Sequence, residues 1–190
     1  MNRSDAVNLL AAAIPRGPGV WADLGAGHGT FTRALAELLG PAGRVYAVDR
    51  DPGATAALER VGAQAAARVV PVRADFTAPF ELPGLGLGTL DGMLFANALH
   101  YVREAGAVLV RMARWLRPGG RVVVIEYDGR RASPWVPYPI SSARLAEVAA
   151  EAGLAPPVIT ATRRSAFGGT MYVAVAESRP EGRARPGARP

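Results

Sequence analysis

Three carboxylates and one glycine run carry the chemistry in this sequence. Asp23-Leu-Gly25-Ala26-Gly27-His28-Gly29-Thr30 closes an apolar run and leads directly into a helical pattern. Glycines there admit positive φ and let a ligand approach the backbone, and the helix start beyond favours an anionic group. The glycines read G-x-G-x-G, so Thr30 stands where a dinucleotide fingerprint needs its third glycine. Asp23 would also repel a pyrophosphate, which disfavours NAD and suits a ligand carrying an ammonium group. Asp49 closes the next apolar run about 20 residues on, a position suited to accepting both hydroxyls of a ribose. Asp75-Phe76 closes the third, with Asp75 suited to an exocyclic amine and Phe76 to a purine face. A single such acid is equally a helix cap or a solvated loop end. Three in succession describe a ligand with an amino-acid end, a ribose and an adenine.

The elements that must position these residues alternate along the chain. Short β runs fall at Val20–Leu24, Arg44–Val48, Val69–Arg73, Leu90–Ala96 and Arg121–Tyr127. Between them lie helical stripes, the clearest being Phe31, Ala34, Leu35, Leu38 and Leu39 on one face. Asp51-Pro52 reads as an N-cap followed by proline at the first helical position. Val108, Met112 and Trp115/Leu116 form another stripe, ended by Pro118-Gly119-Gly120. Ser141 or Ser142 caps a fourth helix carrying Leu145, Val148 and Ala149. Strand–helix alternation predicts βαβ units and a parallel sheet covered on both faces. Val158–Arg163 and Thr170–Glu177, joined through Ser165, Phe167 and Gly169, predict a hairpin, so the last strand runs antiparallel. The expected fold is α/β: a three-layer, Rossmann-like, doubly wound sheet of seven strands, mostly parallel, with the last antiparallel. Residues 1–19 are expected to form a lead-in helix and lid, 20–177 the body, and 178–190 a disordered Pro/Arg tail.

Composition removes whole classes of chemistry from the 190 residues. There is no cysteine, hence no disulfide, thiolate nucleophile or Cys-zinc site. All 22 basic residues are arginine, so Schiff-base and P-loop lysines are excluded. Two histidines, His28 and His100, are too few for a multi-histidine metal site, and no metal is expected. Half of the net charge of +6 lies in the Pro/Gly/Arg tail, which has too little apolar surface to order itself. The longest apolar stretch, Ala6–Ile14, falls far short of the ~20 residues that span a bilayer. A cytoplasmic protein is expected.

The segments VWADLGAGHGTFT, VYAVDRDP, VRADF, LDGMLFANALHYV and LRPGGRVVVIEY, in this order and spacing, resemble the class I S-adenosylmethionine-dependent methyltransferases. The likeness is to the broad group that includes ubiquinone- and menaquinone-biosynthesis-type enzymes, and it covers roughly Val20 to Glu177. It implies S-adenosylmethionine as cofactor and S-adenosylhomocysteine as product. By the same resemblance Asp23, Gly25 and Gly27 hold the methionine portion, with Ala26 in the same loop. Asp49 holds the ribose, with Arg50 beside it, Asp75 and Phe76 hold the adenine, and Asn97 lies beside the sulfonium.

Methyl transfer from a sulfonium is an in-line displacement, so the protein mostly positions the reactants and excludes water. A base is needed only where the nucleophile arrives protonated. His100 is the leading base candidate and Tyr101 an orienter of the acceptor; packing of His100 as a structural residue is the competing reading. Glu126 suits either a substrate contact or a structural role. Arg130, Arg131, Arg163 and Arg164 gather at the expected mouth and would suit an anionic acceptor, or form a solvated rim. Ser133–Ile140, stiffened by proline, is expected to act as a lid. A small-molecule acceptor methylated on O, N or C is the first reading. An RNA methyltransferase and a non-catalytic S-adenosylmethionine-binding partner subunit are the alternatives. The sequence does not define an oligomeric state.

Overall fold

The computed structural model describes residues 1–165 and 168–179. Seven strands, β1 (Val20–Leu24), β2 (Arg44–Asp49), β3 (Arg68–Arg73), β4 (Leu90–Ala96), β5 (Leu116–Asp128), β6 (Val158–Arg164) and β7 (Thr170–Glu177), form one sheet. Their order is β3-β2-β1-β4-β5-β7-β6. β7 runs antiparallel to both neighbours, and the other ladders are parallel, as the hairpin reading required. The helices are α1 (Arg3–Leu10), α2 (Thr30–Leu39), α3 (Pro52–Gly62), α4 (Ala105–Ala113) and α5 (Ser142–Glu151). Among the described residues no helix is long and apolar enough to cross a membrane.

The period of two along each strand sorts side chains into two buried layers. Ala22, Leu24, Tyr46, Val48, Val122 and Val124 pack toward α4 and α5. Trp21, Val45, Leu94, Val123 and Ile125 pack toward α1 and α2. The helix starts follow the sequence: the Asp51 carboxylate accepts from Gly53 N–H at 2.8 Å, and Ser141 Oγ accepts from Arg144 N–H at 3.2 Å. α1 is built into the second layer, with Ala6, Leu10 and Ile14 fully buried against α2. An Arg3–Glu37 ion pair adds a clasp at its rim.

Two boundaries depart from expectation. α4 stops at Ala113, and Pro118-Gly119-Gly120 lies inside β5 instead of ending the helix. Leu116 already pairs with Leu90, and the ladder shifts register before Gly92, so the glycines absorb a bulge. The folded body also runs past Glu177. Ser178 bridges to Leu154, and its hydroxyl donates to Arg117 O at 2.7 Å. The rest of the expected tail from Pro180 onward, and Phe167 in the hairpin turn, lie outside the described residues.

Candidate functional site

Strand order reverses between β1 and β4, since β2 and β3 extend the sheet to one side and β5 to the other. Ligands in open α/β sheets bind in the crevice beyond the strand ends at such a point. Gly25, just after β1, and Asn97, just after β4, wall two adjoining cavities there, of about 190 and 490 Å³. Asn97 takes φ +55°, in the left-handed region that asparagine tolerates better than most residues. Its Oδ1 is buried without a partner among the described residues, an acceptor aimed at no protein donor.

The smaller cavity collects Asp49, Arg50, Asp75, Phe76 and Tyr101. Asp49 accepts from Gly27 N–H at 2.8 Å through one oxygen and from Asp51 N–H at 2.9 Å through the other. Each oxygen keeps a lone pair, since a carboxylate offers about four acceptor sites. Asp75 takes both the amide and the hydroxyl of Thr77 on Oδ1, at 2.9 and 2.6 Å. Its Oδ2 lies 3.3 Å from Arg50 Nη1. The Thr77 hydroxyl, above all, holds the Asp75 carboxyl below its usual range. Phe76 stands edge-on to Phe95, with ring centroids 5.6 Å apart, and Arg111 Nη2 donates to Phe76 O at 2.8 Å.

The glycine loop supplies room more than donors. Gly25 and Ala26 N–H both donate to Val48 O, and Gly27 N–H is taken by Asp49. A Cβ on Gly25 (φ +78°) would lie 2.7 Å from the Ala98 Cβ and 3.3 Å from the Phe76 ring. A Cβ on Gly27 (φ +52°) would meet nothing within 4 Å, because it would project into open space.

Asp23 departs from its expected place. Strand parity turns it with Trp21 toward α2, where it is 1% exposed and lines neither cavity. Thr32 Oγ1 donates to its Oδ2 at 2.6 Å, while Oδ1 has no partner among the described residues. Burial pushes its pKa up to about 7, against the lowering effect of the Thr32 bond. Asp23 therefore sits behind the loop, bracing the first turn of α2.

His100 takes the packed position that was the competing reading beside its base role. It is 4% exposed, lines neither cavity, and has Nδ1 2.7 Å from Glu126 Oε2. Glu126 Oε1 accepts its backbone N–H at 3.2 Å. The single 3-10 turn Leu99–Tyr101 is thereby tied to β5, and Glu126 is structural in its contacts. Tyr101, expected to orient the acceptor, borders the smaller cavity beside Asp49 and Asp75. Ser133–Ile140 lines neither cavity: Val136 and Ile140 are buried, and Tyr138 N–H donates to His100 O at 2.9 Å.

The larger cavity has residues that the motif reading did not assign. Phe31 opens α2, Tyr127 ends β5, and Met171 lies on β7, with Met1 at the rim. Parity marks Tyr127: it follows Ile125 and Val123 onto the α2 face, while Glu126 falls opposite. Arg130 lies over the Tyr127 ring, 4.1 Å from its centroid. Burial raises the Tyr127 pKa, so its phenol stays protonated and can donate. His28, Arg163 and Arg164 complete this wall, and Arg163 reaches Asp5 of α1 at 3.5 Å. Arg131 lines neither cavity.

A family model described as a methyltransferase domain matches residues 22–122, just over half of the chain. A ribosomal RNA small subunit methyltransferase H of Neisseria gonorrhoeae is 40% identical over 94 residues, 48% of this chain. The chain spans only 28% of that relative's length. The structure of a Burkholderia thailandensis 1,6-didemethyltoxoflavin-N1-methyltransferase with bound S-adenosylhomocysteine superposes with TM-score 0.69. It is 26% identical and covers 93% of this chain and 78% of its own. A SAM-dependent methyltransferase from Aquifex aeolicus shares the fold at TM-score 0.70 and 20% identity, covering 90% of this chain and 89% of its own. The unpartnered Asn97 oxygen and the open space before Gly27 fit the same cofactor. The chain belongs to the methyltransferase-domain family, in its class I, S-adenosylmethionine-dependent group.

Proposed function

We propose that the protein transfers a methyl group from S-adenosylmethionine to a small molecule, with the cofactor's nucleoside in the smaller cavity and the acceptor in the larger. The observation that carries this reading is that Gly25 and Asn97 wall both cavities, so the two ligands meet at that partition. Bound S-adenosylmethionine supplies an electrophilic methyl group on its sulfonium. Asp49 would receive the ribose hydroxyls on its remaining lone pairs. Asp75, flanked by Arg50, and Phe76 would hold the adenine by its amine and its ring face. Asn97 Oδ1 would accept from the amino-acid end, while Gly25, Ala26 and Gly27 keep that channel clear. Tyr127 would donate its phenolic proton to the acceptor and orient it. With His100 buried against Glu126, the chain works by positioning and exclusion of water instead of by a histidine base.

The N1-methyltransferase of B. thailandensis, which holds a small heterocycle, supports a small acceptor. A second reading, methylation of RNA, draws on the curated relatives named for ribosomal RNA. Incubation with methyl-labelled S-adenosylmethionine and a cell extract split into small-molecule, RNA and protein fractions separates the two. Label is expected in the small-molecule fraction and absent with Asp49→Ala. Label confined to RNA would overturn the first reading in favour of the second.

A further inference from the structure

We infer that the acceptor is a small organic anion whose charge is received by Arg164. The inference rests on the larger cavity being the acceptor site. That cavity is lined by two arginines and His28, and no carboxylate lines it among the described residues. The two arginines are not equivalent. Arg163 is engaged with Asp5 of α1, so its charge is already partly answered. The Arg164 side chain has no hydrogen bond or ion pair to any described residue. Arg130 adds a third guanidinium behind the Tyr127 ring.

The apolar part of the wall sets the rest of the ligand. Phe31 on α2 and Tyr127 on β5 come from two different elements, and Met171 adds a polarisable contact. Such a lining accepts an apolar or aromatic body, with orientation fixed by a few polar groups. Arg164 at the mouth and Asn97 at the inner partition then define two ends. The anionic end of the acceptor faces Arg164, and its nucleophilic atom faces Asn97 and the cofactor. A guanidinium receives a carboxylate or phosphate in bidentate geometry, which adds direction to the charge. The same preference repels cationic amines of equal size.

The test uses the full chain saturated with S-adenosylhomocysteine, probed by ligand-observed NMR with salicylate and its neutral counterpart salicylamide. Salicylate is expected to bind about tenfold more tightly than salicylamide, and to weaken as salt is raised. In Arg164→Gln that preference should vanish while salicylamide binding is unchanged. Arg144→Gln, remote from the cavity and paired with Glu147 on α5, should keep it. Calorimetric binding of S-adenosylhomocysteine, unchanged in each variant, shows that the fold and cofactor site persist. Equal binding of acid and amide would overturn the anionic acceptor while leaving the larger cavity as the acceptor site. Binding of neither probe to the loaded protein would overturn both. Tighter, Arg164-dependent binding of a twelve-nucleotide oligouridylate than of salicylate would overturn the small anion in favour of a nucleic acid.

Discussion

Glu126 holds His100 twice, through its backbone N–H at 3.2 Å and through Nδ1 at 2.7 Å, with both side chains almost wholly buried. The pair fixes the turn that carries Asn97, Ala98 and Tyr101 into the smaller cavity. Removing Glu126 leaves two buried donors of His100 unsatisfied, each at a cost of about 1–3 kcal/mol. Glu126→Ala is therefore expected to lower unfolding stability by about 3 kcal/mol, measured by urea titration. Glu126→Gln, which keeps the shape and an acceptor, should lose markedly less. Equal losses would show that neither the kept volume nor a neutral acceptor suffices there, and that the carboxylate itself is required.

Asp23 gives a pH signature in the ligand-free protein. Its folded pKa of about 7 lies above the ordinary 3.8, so the native state binds more protons between those values. Stability must then fall as pH rises from about 4 to about 7, by up to about 4 kcal/mol from this group. Asp23→Asn removes the titration, so the difference between parent and variant should grow in the variant's favour across that window. A constant difference in chemical denaturation at pH 4, 5.5 and 7 would exclude the raised pKa.

Gly25 and Gly27 should respond differently to alanine. At Gly25 the new Cβ would press on Ala98 and Phe76, so Gly25→Ala should lower both the melting temperature and cofactor affinity. At Gly27 it meets no protein atom, only the space assigned to the ligand. Gly27→Ala should cost about 1 kcal/mol of stability through its positive φ. It should nonetheless weaken S-adenosylhomocysteine binding at least tenfold, read by calorimetry. Undiminished affinity in Gly27→Ala would move the cofactor out of this loop.

Substitution of Tyr127 should separate acceptor handling from cofactor binding under the proposed reading. Tyr127→Phe removes the hydroxyl and keeps the ring beneath Arg130. Methyl transfer is expected to fall about tenfold or more, while S-adenosylhomocysteine affinity stays within twofold, with kcat and KM resolved once an acceptor is in hand. A fall in cofactor affinity instead would place Tyr127 on the wrong side of the partition.

Much of this architecture was legible in the residues. β1, β4 and β7 begin and end where apolar runs begin and end, and Asp51 and Ser141 cap the helices that they introduce. The acids at 49 and 75 follow strand ends, and strand ends lie at the crevice. Local rules failed where pairing outweighed them, as at Pro118-Gly119-Gly120, a helix stop by composition that the β4–β5 ladder draws into a bulged strand. For His100 the residues left two readings open, for a different reason. Once the chain leaves β4, the positive φ of Asn97 redirects it, and no periodicity carries through that turn. Tyr127 lay within reach, because parity with Ile125 points it at α2, whereas Asp23 shows the same parity burying a motif acid.

The two cavities differ in how far they draw on the segment shared with other methyltransferase domains. Every residue lining the smaller cavity falls between Gly25 and Val102, inside that shared segment. Met1, Tyr127, the arginines of β6 and Met171 all lie outside it. The larger cavity therefore joins residues of the shared segment, His28, Phe31 and Asn97 among them, to residues from its two flanks. If the larger cavity takes the acceptor as proposed, exchanging those flanks would recast part of its wall while every residue of the smaller cavity stays untouched.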